Sequence, residues 1–313
     1  MLARGVNVIN GSFVLGSMGY TNVSAYIDEQ IHNNMLTMCL SVGNREKDTL
    51  TNGIKSSSAH AYNAIVVGNV NTELSKSSPY EVHVDSLVTE NIYRTNKPDI
   101  VASGTNIIFP PHSADETTGG LTGTSCSAAF VTGTVALMMQ KNNSLISNPM
   151  AVKAILSASA NPDLISNAYP MDRGTLLGDR SGAGLLDASE ALYAVQNQRF
   201  FTISQSVSEL DYQFDTAVSL YLNAGDTIRV AATFMKSNDD VILSNNVYGT
   251  DIDIALMQVS SSIHWASSTS AVDNVEIFEY TVTESGYYFI QYVVLEIDST
   301  PFSLNLGISW DID

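Results

Sequence analysis

The sequence predicts an α/β fold over residues 1–198, a parallel sheet with flanking helices, followed by an all-β sandwich over residues 199–313. Three observations carry this. Short apolar runs without alternation, at Met35–Val42 and Ala64–Val70, have the texture of strands buried on both faces of a parallel sheet. Between and after them lie segments with helical spacing of apolar residues. From about residue 199 helical periodicity stops, and short β-branched and aromatic segments alternate with turns.

The elements follow in order. Gly5–Phe13 is a short β-branched run ending in small residues, a strand leading into a loop. Thr21 or Asn22 caps a helix whose apolar face is Val23, Tyr26, Ile27 and Ile31, and Asn33-Asn34 ends it. The apolar strand 35–42 closes a strand–helix–strand unit and ends in Gly43-Asn44. Residues 45–60 are polar and serine-rich and are expected on the surface. Strands follow at 64–70, 98–104 and 106–109, with polar, irregular sequence at 71–96. Asn148-Pro149 opens a helix with Pro at its first position, and a short helix runs from Ser189 to about Val195. In the second half, 227–234, 251–256, 275–282 and 287–294 read as strands, with turns at Ala224-Gly225-Asp226 and Glu284-Ser285-Gly286.

Bulk properties exclude several functions. Lys and Arg number 14 against 32 Asp and Glu, a formal charge of −18, which disfavours nucleic acid and anionic membrane surfaces as partners. No run approaches the ~18 apolar residues of a membrane span. Met1–Asn10 lacks the long apolar stretch of a signal peptide. Cys39 and Cys126 are too few for a disulfide scaffold or a cysteine zinc site and are expected as free thiols. His32, His60, His83, His112 and His264 show no close metal-ligand spacing.

The stretch with chemical character is Gly123-Thr124-Ser125-Cys126-Ser127-Ala128-Ala129, running into an apolar helix of small residues. It places Ser125 where a turn becomes a buried helix. The first N–H groups of a helix lack internal partners and carry the positive end of its dipole. A hydroxyl held there can attack a carbonyl while N–H groups receive the developing charge. A plain helix cap is the simpler role for one isolated serine.

The order of motifs resembles the subtilisin-like serine proteases (peptidase S8, subtilases). Gly123-Thr124-Ser125 is similar to that family's Gly-Thr-Ser-x-Ala-x-Pro, with Ser127 in place of Ala and Ala129 in place of Pro. Ser41-Val42-Gly43-Asn44 resembles the strand end whose Asn amide helps form the oxyanion hole. Asn10-Gly11-Ser12-Phe13 resembles the strand that pairs with substrate backbone, and 62–71, 97–104 and 181–188 fall in family order. The resemblance implies a subtilisin-like sheet whose N-terminal strands are absent, with Ser125 as nucleophile and Asn44 as oxyanion donor. It implies substrate binding at Ser12, Phe13, Val14, Ser41, Val42 and Gly43, with Phe13, Ser41 and Val42 framing an apolar pocket.

The family's His and Asp blocks do not occur in this sequence. The expectation is a serine endopeptidase whose Asp and His lie on a missing N-terminal segment, a partner fragment needed to cover an exposed sheet edge. His112, with Asp115 nearby, is the one substitute base the sequence offers, at the cost of an unusual loop path. The alternative is a non-catalytic pseudoprotease or binding scaffold, and a third reading makes the second half a carbohydrate- or protein-binding module using Trp265 and Tyr248. That half, through 222–226, 251–256 and 284–290, resembles the pre-peptidase C-terminal β-sandwich of secreted proteases. The chemistry requires no cofactor. A structural calcium ion at Asp251 and Asp253 is an option beside a solvated strand face. The substrate is protein or peptide, and the location implied by resemblance alone is secreted or cell-surface. Cys126, beside the nucleophile, suggests sensitivity to oxidation.

Overall fold

The structure is a computed structural model. It describes residues 5–45, 53–72, 80–88, 96–109, 119–167, 175–205, 215–236, 251–261, 263–270, 273–296 and 302–312. The first half is mixed α/β. Strands β1 (Val8–Gly11), β2 (Thr37–Ser41), β3 (Ile65–Asn71) and β5 (Ile100–Ser103) are parallel, and β4 (Glu81–Val82) is antiparallel to β3. The register runs Ile9 to Met38, Cys39 to Ile65 and Val67 to Ile100. β1 forms one edge of the sheet.

Because successive strand residues point to opposite faces, the sheet divides its apolar residues between two layers. Leu40, Val42 and Val66 join Ile27 and Ile31 of helix α1 (Asn22–Asn34). Cys39, Ile65 and Val67 join Ala128, Val131 and Val135 of helix α2 (Thr124–Lys141), together with helix α3 (Pro149–Ala158) and helix α4 (Ala188–Ala194). Thr21 caps α1 in a reciprocal box with Ser24. Asp187 caps α4 by accepting from the N–H groups of Ser189 and Glu190.

Of the surface loop expected over 45–60, residues 46–52 lie outside the described residues, and residues 53–60 overturn the expectation. Ser56, Ser57 and Ser58 are buried, and a 3₁₀ turn spans Ser57–His60. Their hydroxyls are satisfied inside the protein. Ser24 Oγ donates to the Ser57 carbonyl at 2.6 Å, and Ser56 Oγ donates to the Leu15 carbonyl at 3.0 Å. A hydroxyl with such partners is buried at little cost, so polar composition does not mark exposure here. The strand expected at 106–109 is β6 (Ile107–Phe109), and it pairs antiparallel with β7 (Gly119–Leu121); neither β7 nor β4 follows from the sequence pattern.

Beyond residue 197 the described residues form strands. One antiparallel sheet contains β13 (Val275–Thr281), β10 (Thr227–Phe234), β15 (Phe302–Ile312) and β8 (Gln198–Gln205), in that order. The other contains β12 (His264–Ser268), β11 (Asp251–Gln258), β14 (Gly286–Glu296) and β9 (Asp215–Leu222). Val230, Phe278 and Leu306 of the first share an apolar cluster with Ile254, Leu256 and Ile290 of the second. The alternate residues Ala231, Val275 and Ile277 instead join the cluster around α3. The first sheet therefore has two covered faces.

Candidate active site

The site forms where β2 ends beside the start of α2. Gly43 sits at φ +100°, a left-handed conformation that favours glycine, and turns the chain out of the sheet. Its N–H donates to Thr124 Oγ1 at 3.3 Å. Asn44 follows, and its Oδ1 accepts from the Thr124 N–H at 3.0 Å and from the Thr124 hydroxyl at 3.2 Å. A backbone N–H can only donate, so the atom facing it is the amide oxygen. The Asn44 Nδ2 is thereby left as a donor beside the first turn of α2. It lies close to Gly123, where a Cβ would stand 3.3 Å from Nδ2.

Gly104 holds this turn from below. The Gly123 N–H donates to the Gly104 carbonyl at 2.8 Å. A Cβ on Gly104 would collide with Ser127 Oγ, Asn69 Oδ1 and the Gly123 carbonyl. No side chain fits there, a requirement that no local sequence pattern marks.

Ser125 lies in the first turn of α2 and is half-buried, between fully buried Thr124 and Ser127. Ser12 Oγ donates to its carbonyl at 3.3 Å, and Thr132 Oγ1 lies 3.3 Å from Asn10 Oδ1, so the end of β1 is tied to α2 twice. The structure thus brings together Ser125, Asn44, Gly43 and Ser12. The positive end of the dipole of an 18-residue helix faces this point, where the Thr124 N–H is taken by Asn44 and the Cys126 N–H by the Gly123 carbonyl.

Ser12, Phe13 and Val14 are exposed and extended, with no backbone partner among the described residues. Leu15 anchors the far end, its N–H donating to Ser56 Oγ at 2.9 Å and its carbonyl accepting from the Ser58 N–H. The segment continues from the end of β1 and is held at both ends, by the Ser12 and Leu15 contacts. Ser41 lies on the α2 side of the sheet and is buried. Val42 corrects the pocket expected beside Phe13. Its side chain is fully buried in the α1-side cluster, and its N–H is committed to the Val67 carbonyl at 3.0 Å. It sits one residue past the α2-facing Ser41, so alternation turns it into the core.

Among the described residues no histidine reaches Ser125. His32 contacts Asn33 on α1, and His83 accepts the Asp85 N–H at 3.2 Å. His264 contacts Gln291 in the second half. His60 is not in an open loop but buried in the 3₁₀ turn, where burial lowers its pKa to about 4 and keeps it neutral. His112 and Asp115 lie outside the described residues, as does Tyr248. Cys126 is half-buried, and burial raises its thiol pKa, lowering the thiolate fraction on which oxidation depends.

Among the described residues no three His, Cys, Asp or Glu side chains could hold one metal ion. Asp251 and Asp253 share a face of β11, but Glu276 nearby gives its Oε2 to the Ser268 hydroxyl and the Ser270 N–H.

A serine hydroxyl in the first turn of a helix, an amide donor beside it and an exposed segment after an edge strand thus lie together at this point. The sequence profile of the Subtilase family (peptidase S8) matches residues 1–200, and the chain belongs to that family. Among solved structures it is similar to the prenylagaramide maturation protease PagA at 22% identity, covering 61% of this chain and 63% of that one, with a TM-score of 0.45. It is similar to the patellamide maturation protease PatA at 20% identity, covering 62% and 65%, TM-score 0.45. It is also similar to MycP1 with its N-terminal propeptide removed, at 20% identity, covering 61% and 62%, TM-score 0.45. The chain spans less than two thirds of the length of each of these three. No curated relative matches it.

Proposed function

We propose that this chain carries the nucleophilic part of a subtilisin-type serine endopeptidase, with Asp and His supplied by a segment outside this sequence. The observation that carries the reading is the fixed orientation of Asn44, whose oxygen is committed to Thr124 so that its NH₂ is free. Ser125 Oγ attacks the scissile carbonyl while the histidine of the other segment takes its proton. Asn44 Nδ2 and the Ser125 N–H receive the charge on the tetrahedral oxygen. The peptide adds as a strand along Ser12–Val14, recognition by main-chain pairing. Ser41 and Gly43 act by shaping the turn rather than as pocket walls.

The partner segment has a place to dock. The outward face of α2 consists of Ala129, Phe130, Gly133, Ala136 and Leu137, all exposed. It runs beside the edge strand β1. An apolar helix face next to the edge strand of a parallel sheet is the surface that further strands and a helix would cover. A β-sandwich module beginning near Gln198 completes this reading, with secretion or surface display as the setting. The pseudoprotease alternative draws on the lack of a base among the described residues.

The test is fluorophosphonate labelling with intact mass, on this chain alone and on the chain with its N-terminal segment. Labelling of Ser125 only in the presence of the segment, and lost in Ser125→Ala, is the expected result. No labelling in either form makes the chain a binding relative.

A further inference from the structure

The cover over α3 holds charges as well as apolar groups. Every residue of α3 is buried, including Lys153. The Lys153 ammonium donates to the carbonyls of Tyr62 and Ala64 at 2.7 and 3.2 Å, pairs with Asp99 Oδ1 at 2.9 Å, and reaches Asn274 Oδ1 at 3.1 Å. Lys97, equally buried, holds both Asp99 oxygens at 2.8 and 2.9 Å. Within the first half, two buried ammonium groups therefore share the Asp99 carboxylate at bonding distance. Asp28 of the first half also acts electrostatically on Lys97, and the second half adds further partners. Asp273 acts electrostatically on both lysines, and its Oδ2 accepts the Asn96 N–H at 3.1 Å. Asn274, which receives Lys153, is fixed by donating to the Phe234 carbonyl at 2.8 Å.

Further bonds run across the same boundary. Asn63 and the Lys236 backbone bond reciprocally at 2.8 and 2.9 Å, and Thr233 Oγ1 donates to the Met150 carbonyl at 2.6 Å. At the centre of the contact β15 meets α3 backbone to backbone. A Cβ on Gly307 would meet the backbone of Met150 and Ala151 at 2.4 to 2.7 Å. Backbone cannot swing aside as a flexible side chain can, so glycine is what permits this approach.

We infer that the C-terminal sheets are a fixed layer of the catalytic fold, which the first half needs for its buried Lys97–Asp99–Lys153 cluster and for α3, rather than an accessory module on a tether. Burying an ionised group without its partners is strongly unfavourable, so separating the halves takes Asp273 and the Asn274 oxygen from two buried lysines that keep Asp99 at bonding distance and Asp28 acting on Lys97, and it bares an apolar helix. The two halves then unfold together.

The experiment follows thermal unfolding of the full chain by two probes. Trp265 and Trp310, the only tryptophans, both lie in the second half and report it by fluorescence. Hydrogen exchange of peptides spanning β3 and α3 reports the first. A single coincident transition is expected. Gly307→Ala and Asp273→Asn are each expected to lower both midpoints together, by about 5 °C or more. Gly286→Ala, whose Cβ would meet only the movable end of Gln258, is expected to leave both unchanged. Two separated transitions in the parent chain would overturn the inference. So would Gly307→Ala loosening β10 and β15 while β3 and α3 keep their protection, or Gly286→Ala shifting both midpoints as far as Gly307→Ala.

Discussion

Helices α2 and α3 lie in the same apolar cluster against the same sheet, yet their outer faces differ. All ten residues of α3 are buried because β10 and β15 cover the side turned away from the sheet. In α2 the inner residues Ala128, Val131, Val135 and Met138 are buried, while Ala129, Phe130, Gly133, Ala136 and Leu137 are exposed. A helix at a protein surface is normally charged or polar on its outer face. The outer face of α2 has the composition of a second interface and carries no charge before Lys141. The contrast teaches that α3 finds its cover within this chain, while α2 keeps an apolar outer face exposed, the face that the proposed base-bearing segment would cover.

The sharpest way to break this comparison is to make α2 an ordinary surface helix. Phe130→Asp with Leu137→Asp places charges at two positions that are about half exposed (48% and 49%). Each substitution should change the stability of the chain by no more than about 0.5 kcal/mol, as surface changes do. Capture of the base-bearing segment, measured by co-purification, should be abolished, and Ser125 labelling with it. Full labelling in the double variant would mean that the outer face of α2 is not the docking surface.

The next effect concerns the start of α2. Asn44→Asp keeps the oxygen that caps the Thr124 N–H but replaces the NH₂ donor with an acceptor. The helix start should survive, with a midpoint within a few degrees of the parent. The kcat of the assembled enzyme should fall about 100- to 1000-fold, the usual consequence of losing one oxyanion donor, with little change in KM. A matching loss of folding would show that Asn44 acts as a cap rather than on the oxyanion.

How much of this was legible depends on whether the signal is local. The start of α2 at Thr124, the Gly43 turn and the order of strands β1, β2, β3 and β5 follow from short patterns that depend on neighbours in sequence. The burial of Ser56–Ser58 was not legible, because it rests on hydroxyl partners at Leu15, Thr21 and Ser24, more than thirty residues away. Lys153 hid for the same reason: its partners come from Asp99, Tyr62 and Asn274. Gly104 and Gly307 carry no sequence mark either. Each is required by a backbone approach between distant segments. Val42 shows the limit of motif reading, since the motif fixes its place in the chain while strand alternation sends its side chain into the core.

The smallest effect sharpens the comparison from the α3 side, by asking whether the covering layer has a weak point of its own. Asp253 on β11 has its pKa raised to about 7, by burial first and then by Asp251, and its Oδ1 has no hydrogen-bond partner among the described residues. Glu276 is raised as well, chiefly by burial. The sign follows from linkage. The folded state keeps a proton on Asp253 that the unfolded chain has released above its ordinary pKa of 3.8. Stability from this group is therefore full below about pH 4 and lost as the pH rises to about 7. Asp253→Asn has no proton to lose, so its stability relative to the parent should climb through that window and level off above it. The shift should be a few degrees at most, read by tryptophan fluorescence at pH 4.5 and pH 8. If the covering sheets and the α/β half unfold as one, exchange of β3 must follow the same pH dependence. A pH effect confined to β11 and β12 would instead place Asp253 in a locally opening edge, and the cover over α3 would be firm only where β10 and β15 touch it.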